Sequence, residues 1–130
     1  MAERTGSCLC GQIRYRVTGP LRPVIGCHCT QCRKTSGHYV AATSARREHV
    51  AIEGAVTWYR SSDSARRGFC GVCGSNLFWD PVSGDRLSIH AGTLDGPTGL
   101  WLAGHVFCAS KGDYYEIGDG WPHPPGPIRP

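Results

Sequence analysis

With 130 residues the chain suffices for one domain that buries about two-thirds of its unfolded surface, so metal ligation would aid folding rather than substitute for a core. Fourteen basic residues, twelve of them arginine, against ten acidic ones leave a net charge of +4, a mild balance that suits anionic small molecules and excludes the concentrated basic stripe of a nucleic-acid binder. Gly 18 and Pro 9 imply many turns and few long helices, hence a mostly β class.

In chain order, Gly6 to Gly11 reads as a turn enclosing Cys8 and Cys10. From Gln12 to Thr18, Ile13, Tyr15 and Val17 alternate with Gln12, Arg14 and Arg16, the period of a strand with one wet face. Val24-Ile25 is a short apolar lead-in that delivers Cys27. In such an extended approach Cys27 and Cys29 project to one side and His28 to the other, which gives His28 a solvent or hydrogen-bonding place rather than a ligand's. Arg33 to Gly37 reads as a solvated turn ended by glycine, His38 to Ser44 as a strand, and Ala45 to Glu48 as a polar or short helical turn. Val50-Ala51-Ile52 and Ala55 to Tyr59 flank Glu53-Gly54 as a hairpin. Ser61 to Gly68 is a polar loop before a second cysteine knuckle. Asn76 to Trp79 and Leu87 to Ala91 pair around a Pro81 to Asp85 turn, and Gly92 to Pro97 closes the meander. Trp101, Leu102, Val106 and Phe107 supply later core. Cys108 continues that apolar strand as a packed thiol. From Gly118 the proline content predicts an extended tail, ordered where Trp121 docks.

The cysteines organise the rest. Cys27, Cys29 and Cys32 form a C-x-C-x-x-C run, three thiols within six residues, which is the donor set of a zinc site with one open position. Cys8 and Cys10, with Cys70 and Cys73, add a C-x-C and a C-x-x-C, enough to close a tetrahedral structural shell. Met1 to Gln12 contains no apolar run of signal-peptide length, and no later stretch reaches membrane-span length; the expectation is a soluble, cytoplasmic chain, where clustered cysteines serve metals. Energy agrees: structural zinc contributes roughly 10–16 kcal/mol, a disulfide roughly 2–4. Gly-rich phosphate loops, H-E-x-x-H and G-x-S-x-G are absent.

Gly6-Ser7-Cys8-Leu9-Cys10-Gly11, Cys27-His28-Cys29-Thr30-Gln31-Cys32-Arg33-Lys34, Gly68-Phe69-Cys70-Gly71-Val72-Cys73-Gly74-Ser75 and Ala91-Gly92-Thr93-Leu94-Asp95 together resemble the glutathione-dependent formaldehyde-activating family, whose domain is shared with centromere protein V. The resemblance spans about residues 5 to 117. It implies a single zinc-containing domain over residues 1–117, a β-tent of several curled antiparallel sheets, followed by a Pro-rich tail over 118–130. It matches Cys8, Cys10, Cys70 and Cys73 to a structural zinc, and Cys27, Cys29 and Cys32 to a second, substrate-side zinc, for which glutathione itself could compete. The implied activity is that of a carbon–sulfur lyase joining formaldehyde and glutathione into S-hydroxymethylglutathione, or handling a related thiol–aldehyde adduct. Tyr114 to Ile117 fits the family's aromatic region; Trp121 to Pro125 departs from its close.

Three thiolates leave a zinc centre formally at minus one, which favours holding a substrate thiol as thiolate over polarising a carbonyl. Arg33 and Lys34 are then candidate anion contacts, and His105 a candidate proton shuttle, against its alternative as a hydrogen-bonded strand histidine. The rival class is a zinc-stabilised module that binds a protein partner without catalysis. Nucleic acid is the weakest partner, since aromatics do not interleave with Arg46-Arg47 or Arg66-Arg67, and a membrane partner lacks a spanning segment.

Overall fold

The computed structural model describes residues 3–121 and 124–126. Ten strands and one α-helix are present among them: β1 (Arg4–Ser7), β2 (Arg14–Val17), β3 (Val24–Cys27), α1 (Thr30–Ser36), β4 (Val40–Arg46), β5 (Val50–Glu53), β6 (Val56–Arg60), β7 (Ala65–Cys70), β8 (Asn76–Pro81), β9 (Arg86–His90) and β10 (Leu102–Val106). The mostly β expectation holds, and among the described residues no helix is long and apolar enough to cross a membrane.

The chain forms two compact units, one taking it up to Arg22 and from Thr43 to Gly99, the other Pro23–Ala42 and Leu100 onward. In the first unit β1, β2 and β5 make a three-stranded antiparallel sheet. The alternation read from the sequence is what the sheet uses: Ile13, Tyr15 and Val17 are buried while Arg14 and Arg16 face outward. A second ladder runs β9-β8-β7-β6, with Phe78 opposite Ile89 and Trp58 opposite Gly68. Phe78 and Leu77 on β8, Ile89 on β9, and Ile13 and Val17 form this unit's core, and Tyr15 meets Phe78 edge-on at 5.4 Å. Each such side chain contributes about 1.5–3 kcal/mol by leaving water.

The hairpin expected around Glu53-Gly54 is not formed. The turn is there, with Gly54 at φ +98°, but β5 pairs with β2 and β6 with β7. The polar loop expected over 61–68 shrinks to Ser61–Ser64, because β7 starts at Ala65. Its arginines have strand partners: Arg66 lies 3.8 Å over the Trp58 ring and bonds Asp80, which also accepts from Arg47. Gly68 gives Trp58 its place, since a side chain there would meet the indole within 2.7 Å.

In the second unit β3 pairs antiparallel with the first half of β4 and parallel with β10. The solvated turn expected over 33–37 is instead the end of α1, a helix that buries only Cys32 and stops at Gly37 with φ +81°. Trp101 and Phe107 do not join the core: they flank β10, the last strand of the order β10-β3-β4, and are 57% and 37% exposed. Nor does the strand carry on to Cys108. Phe107 turns the chain with φ +56°, and Cys108 opens a 3-10 turn over Cys108–Ser110, half-buried rather than fully packed. The tail is held differently from expectation too. Trp121 stays 42% exposed, while the N–H groups of Phe107, Cys108 and Ala109 bond the carbonyls of Gly126, Pro124 and Pro125. Pro122, His123 and residues 127–130 of the expected tail lie outside the described residues.

Candidate metal centres and their surroundings

In the first unit the turn after β1 brings Cys8 and Cys10, and the turn after β7 brings Cys70 and Cys73. Their four sulfurs lie within 4.8 Å of one another. Cys8 and Cys10 are 3.6 Å apart and Cys10 and Cys70 3.8 Å, close to the roughly 3.8 Å edge of a tetrahedron with metal–sulfur bonds of about 2.3 Å, and all are free thiols. Backbone N–H groups already point at them: Ile13 N–H donates to Cys8 Sγ, and those of Val72 and Cys73 donate to Cys70 Sγ. Such donors stabilise thiolate. Protons are unevenly shared within the cluster. The Ser75 hydroxyl and N–H pull Cys73 down to about 5. The Gln12 N–H alone would lower Cys10, but burial and the three other thiols together push it up to about 11. Adjacent thiolates resist ionising together without a cation between them, so the donor set fits a divalent soft metal such as zinc.

The second centre belongs to the second unit. Strand β3 delivers Cys27, the loop supplies Cys29, and Cys32 sits one turn into α1; their sulfurs also lie within 4.8 Å of one another. Cys29 takes the N-cap of α1, with Sγ accepting from Cys32 N–H at 3.3 Å. The neighbouring Cys32 thiol holds Cys27 below its ordinary value, against a smaller opposing push from burial. Among the described residues no fourth Cys, His, Asp or Glu joins the set. These three donors also fit zinc, with a coordination position left for another ligand.

His28, between two of the cysteines, is wholly buried. Its ring stacks on Tyr39 at 4.6 Å. Nδ1 lies 2.6 Å from the Tyr115 hydroxyl, and Nε2 lies 2.9 Å from Nδ1 of His105. The His105 Nε2 in turn meets Asp119 Oδ2 at 2.7 Å. Burial first, then the cost of a second positive charge beside His105, His38 and Lys111, lowers His28 to about 4, so it is neutral at pH 7. The hydrogen-bonding place read for His28 is therefore realised, and the solvent-facing one is not. His105 is in β10 with 2% exposure and both ring nitrogens engaged.

Arg33 and Lys34 follow Cys32 on α1. Lys34 is exposed; Arg33 is half-buried, and its Nε is buried without a hydrogen-bond partner among the described residues. Tyr39 and Asp119 were not singled out from the sequence, and Tyr115 entered only with the aromatic region that the resemblance implied: they lie 11, 91 and 87 positions from His28, and no spacing joins them to it. Gly26 carried one usable signal. It faces His105 across the parallel pair, and a side chain there would lie 2.7 Å from His105 Nδ1.

A small, mostly β chain with a four-cysteine closure and a separate three-cysteine centre is thus defined. Residues 3–110 match the family described as glutathione-dependent formaldehyde-activating enzyme, and the chain belongs to that family. It is similar to an uncharacterised lyase of Schizosaccharomyces pombe (strain 972), 29% identical over 119 residues that cover 90% of this chain and 87% of that protein. A protein of Halomonas elongata named "putative glutathione-dependent formaldehyde-activating enzyme" is 30% identical over 128 residues, covering 86% and 79%. The crystal structure of a Rhodobacter sphaeroides protein superimposes with a TM-score of 0.60 at 25% identity, over 73% of this chain and 91% of the other.

Proposed function

We propose that the chain is a zinc-dependent carbon–sulfur lyase acting on the adduct of a thiol and an aldehyde, S-hydroxymethylglutathione or a close relative. The observation that carries this reading is the contrast between the two clusters: four sulfurs close one shell, and three sulfurs leave the other a place for a guest. Family membership and the names of the two relatives support it.

Cys8, Cys10, Cys70 and Cys73 would hold a structural zinc, and Cys27, Cys29 and Cys32 the working one. Bound there, zinc would stabilise the substrate sulfur as thiolate at neutral pH. In the condensing direction the thiol loses its proton, its sulfur forms a bond to the aldehyde carbon, and the carbonyl oxygen takes a proton to become a hydroxyl; cleavage is the reverse. The residues of the chain bind and orient. Arg33, with an unpartnered buried Nε one residue beyond Cys32, offers a carboxylate of the thiol substrate a charge-assisted hydrogen bond, and exposed Lys34 adds positive charge on the same helix.

Two-dimensional exchange NMR of formaldehyde with glutathione tests the proposal. Wild-type protein should speed equilibration and Cys29→Ser should not, although it stays folded. Equal rates with wild type, with Cys29→Ser and without protein would rule the activity out and favour the partner-binding module.

A further inference from the structure

The buried groups behind the three-cysteine loop form one continuous chain: Tyr115, His28, His105 and Asp119, with links of 2.6, 2.9 and 2.7 Å. We infer that Asp119 and Tyr115 are positioning residues for the three-cysteine centre, orienting it through the His105–His28 pair. This rests on the reading that Cys27, Cys29 and Cys32 hold a metal.

The chain has a sense. An ionised Asp119 carboxylate only accepts, so His105 Nε2 donates. A neutral imidazole has one donor and one acceptor, so His105 Nδ1 accepts from His28 Nε2–H. His28 Nδ1 is then bare, and Tyr115 O–H donates to it. With both imidazoles neutral, this is the arrangement that satisfies every link, and it takes the Nε2–H form of both histidines.

The geometry explains why this matters to sulfur. His28 lies between Cys27 and Cys29 in sequence, so fixing its ring fixes the loop that carries both. The ring is held at Nδ1 and at Nε2 and stacked on Tyr39, while its own N–H bonds the Val106 carbonyl at 3.0 Å. His105 can stand behind it only because residue 26 is glycine. The outer ends of the chain come from the segment after β10, and that segment is fastened separately. Lys111 Nζ donates to the carbonyls of Gly112 and Tyr115 and lies 4.7 Å from the Tyr115 ring, and Tyr114 O–H donates to the Gly37 carbonyl at the end of α1. The C-terminal segment is in this way part of the site. His105, buried with both nitrogens committed, acts through His28.

Two measurements test the inference on the full chain. In nitrogen-15 NMR of the ring nitrogens, His28 and His105 should both be Nε2–H forms, and Asp119→Leu, which removes the acceptor of His105 Nε2, should perturb the His28 ring as well. A doubly protonated His105, or an Nδ1–H form of His28, would overturn the assignment. In metal competition with cobalt as the spectroscopic probe, Asp119→Leu and Tyr115→Phe should each weaken the three-cysteine centre by about 10- to 100-fold, leave the four-cysteine centre loaded, and together cost little more than the worse single change. Affinities within twofold of wild type, or equal weakening of both centres, would refute it. If wild type itself takes no cobalt at the three cysteines, the metal reading of that centre falls; variants that match a wild type which binds reject only the positioning role.

Discussion

Gly26→Ala is the sharpest test of how the second unit supports its cysteines. The added methyl would lie 2.7 Å from His105 Nδ1 and 3.0 Å from the Tyr39 ring, and neither group has room to retreat. Tyr39 is stacked on His28, and His105 is anchored between His28 and Asp119. Overpacking of this kind costs about 1–3 kcal/mol. If relief comes by moving His105, the buried Nε2–H of His28 loses its acceptor, a further cost of about 1–3 kcal/mol. The expected loss is therefore about 2–6 kcal/mol, which urea unfolding followed by tryptophan fluorescence would show as a midpoint lowered by about 1 M or more, with slopes of about 1–3 kcal/mol per molar. Gly92→Ala is the control, because nothing stands within 4 Å of its new methyl and its φ is not positive. A midpoint for Gly26→Ala that matches Gly92→Ala would refute the close packing on which the reasoning stands.

Cys73→Ser, by opening the closed shell, should leave the protein unfolded or zinc-free at the first centre by circular dichroism and elemental analysis, whereas Cys29→Ser keeps the fold. Arg33→Ala should raise KM for the thiol about tenfold or more with little change in kcat, and an uncharged thiol lacking carboxylates should be indifferent to it. His90 is held to about 4, by burial first and Arg67 second, below its usual 6.5. It binds a proton in the unfolded chain but not in the folded one between those values, so its stability contribution is full above pH 6.5 and lost as pH falls toward 4. His90→Gln should flatten the stability slope there by up to about 1.4 kcal/mol per pH unit. Burial alone would raise the Asp80 carboxyl, but hydrogen bonds from Arg66 and Arg47 outweigh it and hold it below its ordinary value. Its contribution is present above about pH 4 and lost as pH falls through the lowered value, so Asp80→Asn should weaken neutral-pH stability and blunt the acid limb of the profile.

The clustering of both cysteine sets was legible because each announces itself in a few residues: Cys27, Cys29 and Cys32 fall within six positions, and Cys8/Cys10 and Cys70/Cys73 are each a close pair. Strand β2 was legible for the same local reason, its alternation of Ile13, Tyr15 and Val17. What failed was pairing at a distance. Glu53-Gly54 is a turn, but a turn does not say which strands its flanks join. Arg66 and Arg67 read as loop because their polarity is visible while the Trp58 face and the Asp80 carboxylate that receive Arg66 are not. Helix α1 escaped notice since its N-cap is a cysteine and its buried face a single residue, Cys32. The environment of His28 was illegible for a plain reason: its partners come from Tyr39 just before β4, from β10 and from the segment beyond, brought together only by the β10-β3-β4 order.

Metal content per folded chain bears most directly on the division of labour between the two cysteine sets. Elemental analysis of protein prepared with zinc and freed of loosely held ions should give two equivalents for wild type and one for Cys29→Ser with its fold intact. A single equivalent in wild type that Cys29→Ser does not alter, or cysteines found joined as disulfides, would contradict the account.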